Sequence, residues 1–357
     1  MKLALRLIST ALVASGAALT AYVAQPVLAS VPDVASPVAS LALGNVGRAF
    51  RPASVPVEAA VADTGDSGVD AYGSPDPDAA VWSRPTWFPP VGDVDAVALM
   101  GGPASGGRGP ALRSRSVFVY DLDAGEVLID KNADVVRPVA SLTKLVSSLA
   151  LMSAEPNLDT ELCVGAAQYP TRSGARSRLS TGDCVGGWDV LGAALVASDN
   201  RGAYALAAVA GMDMDDFVAR MNDISADLAM DHSSWSDPSG LEDENLSTAR
   251  DMARATVAVA SHPVLGPVST APYWDMHRSN KEAPRRLFTT DRLSGREDMT
   301  ILAAKTGYTD TARYCFSTVL QTRDGRRLAI SLLGAEGKLS RWADIDRILS
   351  WVHTTSS

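Results

Sequence analysis

The sequence predicts an α+β fold: one five-stranded antiparallel sheet flanked by helices, with an all-helical lobe inserted after its second strand. Three observations predict it. Two β-prone apolar runs, Ser116-Val-Phe-Val-Tyr120 and Glu126-Val-Leu-Ile-Asp130, precede a long helical stretch. Three more, Met299 to Lys305, Tyr314 to Thr322 and Leu328 to Leu333, follow it. Strands and helices are segregated rather than alternating, which argues against a βαβ sheet, and no internal repeat is present.

Element by element, the chain opens with Lys2 and Arg6 ahead of an apolar run from Leu7 to Ala24 that ends near Val27-Leu28-Ala29. Residues 1 to 29 therefore read as a secretory signal peptide cleaved after Ala29, with an uncleaved anchor as the alternative, because the run approaches the ~18 residues of a spanning helix. No cysteine follows the cleavage position, which argues against a lipoprotein. Residues 30 to 112 are rich in Ala, Pro, Val, Gly and Asp and read as a flexible spacer. Within it, Trp82 to Pro90 sets three aromatics among prolines and is suited to docking instead.

Residues 113 to 357 read as one folded domain. An Asp-Ala-Gly turn joins the first two strands. Ser141 to Met152 is a buried helix, and two short cysteine-bearing segments follow. Helices are expected at Trp188 to Ala197, Arg201 to Ala210 and Met214 to Met230, then a turn at Asp237-Pro-Ser-Gly240. Thr248-Ala-Arg-Asp251 has the form of a capping box opening a helix to about Ser261. Arg323-Asp-Gly-Arg326 joins the last two strands, and Ser340 caps a final helix reaching Val352.

Composition narrows the chemistry. A formal charge of −9 argues against a nucleic-acid partner, which needs a basic surface. The four histidines form no HExxH and the three cysteines have no zinc-site spacing, so neither a metal nor another cofactor is expected. Outside the cytoplasm Cys163 and Cys184 are the couple placed to form a disulfide, with the reduced pair as the alternative.

Three short motifs carry the candidate chemistry. In Ser141-Leu-Thr-Lys144, positions i and i+3 of a helix share a face, so the lysine amine can lie beside the serine hydroxyl. A serine needs such a base, and the lysine must be neutral to serve, through burial or through a second cation such as Lys305. One SxxK arises by chance about once in a chain of this length, and a surface lysine after a capping serine is its plain reading. Lys144, however, is one of only six lysines and sits in an apolar run. In Ser198-Asp199-Asn200, Ser198 is a candidate proton relay and the Asn200 amide a candidate holder of a substrate carbonyl; a helix-connecting turn is the plain alternative. In Lys305-Thr306-Gly307, at the end of a strand, Lys305 and Thr306 suit a carboxylate and Gly307 a close backbone approach. The three together, in this order, arise by chance in roughly one chain in a thousand.

On these motifs, with Arg137-Pro-Val-Ala-Ser-Leu-Thr-Lys-Leu145, Asp237-Pro-Ser-Gly-Leu241, Ser247-Thr-Ala-Arg-Asp251 and Lys305-Thr-Gly-Tyr-Thr-Asp310, residues 113 to 357 resemble the low-molecular-mass penicillin-binding proteins. These are serine D,D-peptidases that act on the peptide stems of bacterial peptidoglycan. The resemblance implies a β-lactamase/transpeptidase-like fold, an acyl-enzyme on Ser141, Lys144 as base and Ser198 as relay. It implies an oxyanion hole from the backbone N–H groups of Ser141 and Tyr308, and Arg341 as a substrate-carboxylate ligand, the alternative for Arg341 being an exposed first-turn residue. It further implies peptidoglycan stem peptides as substrate, β-lactam antibiotics as covalent inhibitors, and an exported protein, periplasmic or wall-associated, without a transmembrane domain after cleavage.

Ser198-Asp-Asn-Arg201 and Gly337-Lys-Leu-Ser-Arg341 are more like the D-alanyl-D-alanine endopeptidase branch, with D-alanyl-D-alanine carboxypeptidase as the alternative and a non-catalytic wall-binding protein as a third reading. The chain also reads as lacking the C-terminal β-domain of the familiar carboxypeptidases. Class A β-lactamases resemble it in the motifs but add an ExxxN glutamate. None of Glu242, Glu244, Glu282 and Glu297 is followed four residues on by Asn, so efficient penicillin hydrolysis is not expected.

Overall fold

The computed structural model describes residues 109–165 and 177–355. The expected signal peptide and nearly all of the expected spacer lie outside them.

Five strands form the main sheet: β1 (Ser116–Asp121), β2 (Glu126–Lys131), β9 (Met299–Thr309), β10 (Arg313–Thr322) and β11 (Arg327–Ala335). Their order is β2-β1-β11-β10-β9, antiparallel throughout, so the two ends of the domain meet where β1 pairs with β11. This is the α+β arrangement expected from the sequence. The strands read as continuous apolar runs because both faces of the sheet are covered. Along β1, Phe118 and Tyr120 enter the core under the helical lobe, while Val117 and Val119 enter the core on the opposite face. The outer core is closed by a C-terminal helix that buries Trp342, Ile345, Ile348 and Val352 at helical spacing.

The inserted lobe contains α1 (Thr143–Ser153), α2 (Gly187–Leu195), α3 (Asn200–Val209), α4 (Met214–Asp227), α5 (Ala249–Ser261) and the short α6 (Leu265–Thr270); the C-terminal helix is α7 (Ser340–Thr355). Three short antiparallel pairs fell outside the sequence expectation: β3 (Arg137–Pro138) with β6 (Leu246–Ser247), β4 (Glu161–Cys163) with β5 (Cys184–Gly186), and β7 (Tyr273–Met276) with β8 (Arg285–Phe288). Each is two to four residues long, too short for an alternating pattern to show.

Several boundaries differ for identifiable reasons. Ser141 does not open the α-helix: it lies in a 3₁₀ turn, Ala140–Leu142, and α1 begins at Thr143. Thr248 caps α5 through Asp251 N at 3.0 Å. The reciprocal half of the box is replaced, because the Asp251 carboxylate turns to Arg254, Ser233 and His232 N. Ser340 is the first residue of α7 rather than its cap. Strand β9 runs on to Thr309, which sets Lys305, Thr306 and Gly307 inside it. At the other end, Leu112 already packs against the outer core and its carbonyl accepts from Lys131 Nζ at 2.8 Å.

Cys163 and Cys184 are joined in a disulfide across β4 and β5, and Cys315 is a buried free thiol on β10. Among the described residues no helix is long and apolar enough to cross a membrane.

Candidate active site

Ser141 is presented by strain and close packing. The residue before it, Ala140, has φ +51°, a conformation costly for an L side chain, and it is fully buried. Two glycines make room for this kink. A Cβ on Gly240 would lie 1.9 Å from the Ala140 carbonyl oxygen, and one on Gly307 would lie 2.9 Å from Val139 O and 3.2 Å from Ser141 N. The Ser141 peptide is therefore wedged between the turn after α4 and the edge strand β9, with its hydroxyl still reachable.

Lys144 follows one turn later, fully buried. Its Nζ lies 2.9 Å from Ser141 Oγ, 2.9 Å from Asn200 Oδ1 and 2.6 Å from the Ser239 carbonyl. Burial lowers its pKa to about 7, against the opposing pull of Asp237 and then Asp199. Here the expectation of a second-cation effect is corrected: that effect falls on Lys305, which burial first, then the charges of Lys144 and Arg341, push well below its ordinary value.

The turn that supplies the Ser239 carbonyl is built by Asp237. Its carboxylate accepts from Ser239 N, Ser239 Oγ, Gly240 N, Glu242 N and Asn245 Nδ2. Asn245 in turn accepts from Ser236 N at 2.8 Å. The adjacent Pro238 carbonyl accepts from Ser147 Oγ of α1 at 2.6 Å. The sequence marks this stretch as a turn and no more; the Asp-Pro-Ser-Gly run with an Asn eight residues on was the available sign of an Asx-locked loop.

Ser198 sits in the α2–α3 connection at φ +57° and accepts from Lys305 Nζ at 2.7 Å. Asp199 caps α3 through Gly202 N at 3.0 Å and also accepts from Ser177 Oγ at 2.7 Å and from Arg178 N. This fixes Ser198 and Asn200 on either side of it, one facing each lysine. Thr306 Oγ1 pairs with Thr290 Oγ1 at 2.6 Å. Thr290 and its neighbour Asp291, whose carboxyl burial raises to about 6, are site residues that sequence reasoning missed, since nothing local links them to β9.

Tyr308 is 46% exposed, its ring tilted 33° against that of Tyr314 at 4.4 Å between centroids, with its hydroxyl donating to Asp310 at 2.8 Å. Arg341 is neither an exposed residue nor turned outward. It is buried, and its Nη1 donates to the carbonyls of Gly307 (3.0 Å) and Cys315 (2.8 Å), which are register partners in β9 and β10.

Metal-type donors gather at Glu161, Cys163 and Cys184, but the two sulfurs are bonded to each other and offer no thiolates. A groove of about 510 Å³ lined by Pro110, Ala111 and α7 residues lies on the outer face of the sheet and shares no residue with the Ser141 cluster.

A serine held against a buried lysine of depressed pKa, faced by a second serine on a helix connection that is bonded to a lysine of the edge strand, defines the class of active-site-serine peptidases. Residues 104–337 match the family model for the S11 peptidases, described as D-alanyl-D-alanine carboxypeptidase. The chain belongs to this family. It is 31% identical over 246 residues to the D-alanyl-D-alanine endopeptidase of Escherichia coli (strain K12), covering 69% of this chain and 79% of that one. It is 32% identical over 244 residues to the D-alanyl-D-alanine endopeptidase of Pseudomonas aeruginosa, covering 68% and 78%. Among solved structures it is similar to penicillin-binding protein D2 of Listeria monocytogenes in its cefotaxime-bound form, with TM-score 0.60, 26% identity, and 68% of this chain and 98% of that one covered.

Proposed function

We propose that the chain is an exported serine D-alanyl-D-alanine endopeptidase that hydrolyses peptidoglycan cross-links and is inhibited by β-lactams. The observation that carries the chemistry is the donor arrangement at Lys144. Asn200 Oδ1 and the Ser239 carbonyl are acceptors only, so they take two N–H bonds of the neutral amine and leave its lone pair aimed at the Ser141 hydroxyl.

Ser141 Oγ then attacks the carbonyl carbon of the D-alanyl residue as its proton passes to Lys144 Nζ. The negative charge developing on the carbonyl oxygen is received by the backbone N–H groups of Ser141 and Tyr308, beside Gly307, where any Cβ would crowd Ser141 N. As the C–N bond breaks, Ser198 Oγ gives its proton to the leaving amine and takes up the proton that Lys144 received from Ser141, which returns Lys144 to its neutral form, while Lys305 donates to Ser198 and stabilises the charge in transit. Lys305 and Thr306 bind a substrate carboxylate, and Asn200 orients the peptide. Water completes the cycle by hydrolysing the ester on Ser141. β9 is an edge strand, so its free side suits an extended peptide.

Endopeptidase rather than carboxypeptidase activity is favoured by the two relatives that bear that name at 31% and 32% identity. The family's own description keeps removal of a terminal D-alanine as the second reading. Covalent β-lactam binding is supported by the motif set and by the cefotaxime-bound relative. Export with residues 1–29 as signal peptide, and residues 113–357 as the catalytic domain behind a spacer, rests on the sequence pattern. The deciding experiment incubates the full chain with cross-linked muropeptide dimers and with pentapeptide monomers, reading products by mass spectrometry. Monomers released from dimers support the proposal; D-alanine release alone sinks it in favour of the carboxypeptidase.

A further inference from the structure

Beside the cleft, on the side of Ser198 and Thr306, two arginines converge on one short segment that carries a third. Residues 177–179 are pinned to Asp199, through Ser177 Oγ and Arg178 N. The Leu179 carbonyl accepts from Arg201 Nη1 at 2.9 Å, and the Arg178 carbonyl accepts from Arg285 Nη1 at 2.6 Å. Neither Arg178 nor Arg285 has a carboxylate partner among the described residues. Neighbouring basic groups are committed elsewhere: Arg286 is paired with Asp275 at 2.5 Å, and Arg278 approaches Asp183 at 4.0 Å.

Phe288, three residues beyond Arg285 on β8, is 68% exposed but lies on the opposite face of the strand, with Arg286. Two residues further, Thr290 N donates to Val196 O at 3.3 Å and its hydroxyl meets Thr306 at 2.6 Å. The segment bearing Arg178 is thus tied to the second motif through Asp199, and the stretch just after β8 to the third motif through Thr290. On a chain of net charge −9, Arg178 and Arg285 at the rim of a catalytic cleft are selective for an anionic partner.

We infer that the strip formed by Arg178, Arg201 and Arg285 is a subsite for a carboxylate-bearing peptide strand of the substrate. It rests on the peptidase reading above and adds to it where the strand lies beyond the scissile bond and which charge it carries. Arg178 and Arg285 contribute charge at the rim, and Arg201 holds the segment against α3. Arginine at such a rim selects carboxylates over their amides, and salt screens the preference.

The test titrates the full chain carrying Ser141→Ala with a cross-linked muropeptide dimer whose stem carboxylates are free, and with the same dimer amidated. Binding, not turnover, is the readout. The acidic dimer is expected to bind about tenfold more tightly at low salt, and Arg178→Glu combined with Arg285→Ala is expected to erase the difference. Equal affinity for the two dimers, or a preference that survives the double variant, overturns the subsite. In the chain with Ser141 intact, the same double variant is expected to react with a fluorescent penicillin within about twofold of the wild-type rate, which separates loss of the strip from damage to the serine. Absence of any penicillin adduct on the wild-type chain counts against the peptidase reading instead, and leaves the affinity comparison to judge the strip.

Discussion

The Ser239 carbonyl lies 2.6 Å from Lys144 Nζ, across a loop that joins residues 95 positions apart in the chain. That carbonyl cannot donate, so it accepts an N–H from the lysine in either protonation state and leaves titration to the side facing Ser141. With burial holding Lys144 at about 7, the reactive neutral form dominates above that pH and is lost below it. The second-order rate of acylation by a fluorescent penicillin is expected to rise about tenfold per pH unit up to about 7 and then level off. A rate that is flat between pH 5 and 8, or falls with pH, removes Lys144 as the base. Lys144→Ala is expected to lower the rate by about a thousandfold.

Gly240 is held at φ +80° against the Ala140 carbonyl. Gly240→Ala meets backbone on one side and an unfavourable φ on the other, and neither can yield without moving Ser141. The expected loss is about 3 kcal/mol, combining the left-handed penalty with overpacking. In a domain of this size that is a fall in Tm of about 8 °C. Acylation is expected to fall by about a hundredfold, measured on protein still folded at 20 °C. A variant with wild-type Tm and rate shows that the turn does not hold the serine in place.

How much of this was legible in the sequence depends on the range of each interaction. The sheet was legible because buried strands and a segregated helical block leave runs such as Val117 to Tyr120 and Leu328 to Leu333. Ser141 and Lys144 were legible because their relation is a single turn, and the structure brings Ser198, Asn200, Lys305, Thr306 and Gly307 around them. What no local pattern encodes is partnership across the chain: Thr290 with Thr306, or Ser239 with Lys144. The posture of Arg341 belongs here too, since its acceptors are main-chain carbonyls that any sequence would supply.

That posture separates two roles for Arg341. As a clamp on Gly307 and Cys315 it acts through the strand, and Arg341→Leu leaves two buried carbonyls short of a donor, at a cost of about 2 kcal/mol. Hydrolysis of a peptide ending in a free carboxylate and of its C-terminal amide is expected to fall together, each about tenfold in kcat/KM. A loss confined to KM for the free acid instead makes Arg341 a direct carboxylate ligand.

The Cys163–Cys184 disulfide closes a loop with a sequence separation of 21, whose far end, Ser177 to Leu179, is fastened to Asp199 and α3. On the other side, Ser279 N donates to Cys184 O at 2.9 Å and Asn280 Nδ2 to Gly182 O at 2.6 Å, tying β5 to the connection between β7 and β8. Replacing both cysteines by serine frees the unfolded loop and is expected to cost about 3 kcal/mol by urea denaturation. Asp199 keeps its own cap on α3, so Ser198 and Asn200 stay in place and penicillin acylation is expected to stay within about threefold of wild type. Peptide KM is expected to rise more than acylation falls, because the crosslink steadies the segment bearing Arg178 rather than Ser141. An acylation rate that drops with the disulfide while KM holds would mean that the crosslink supports the serine site itself.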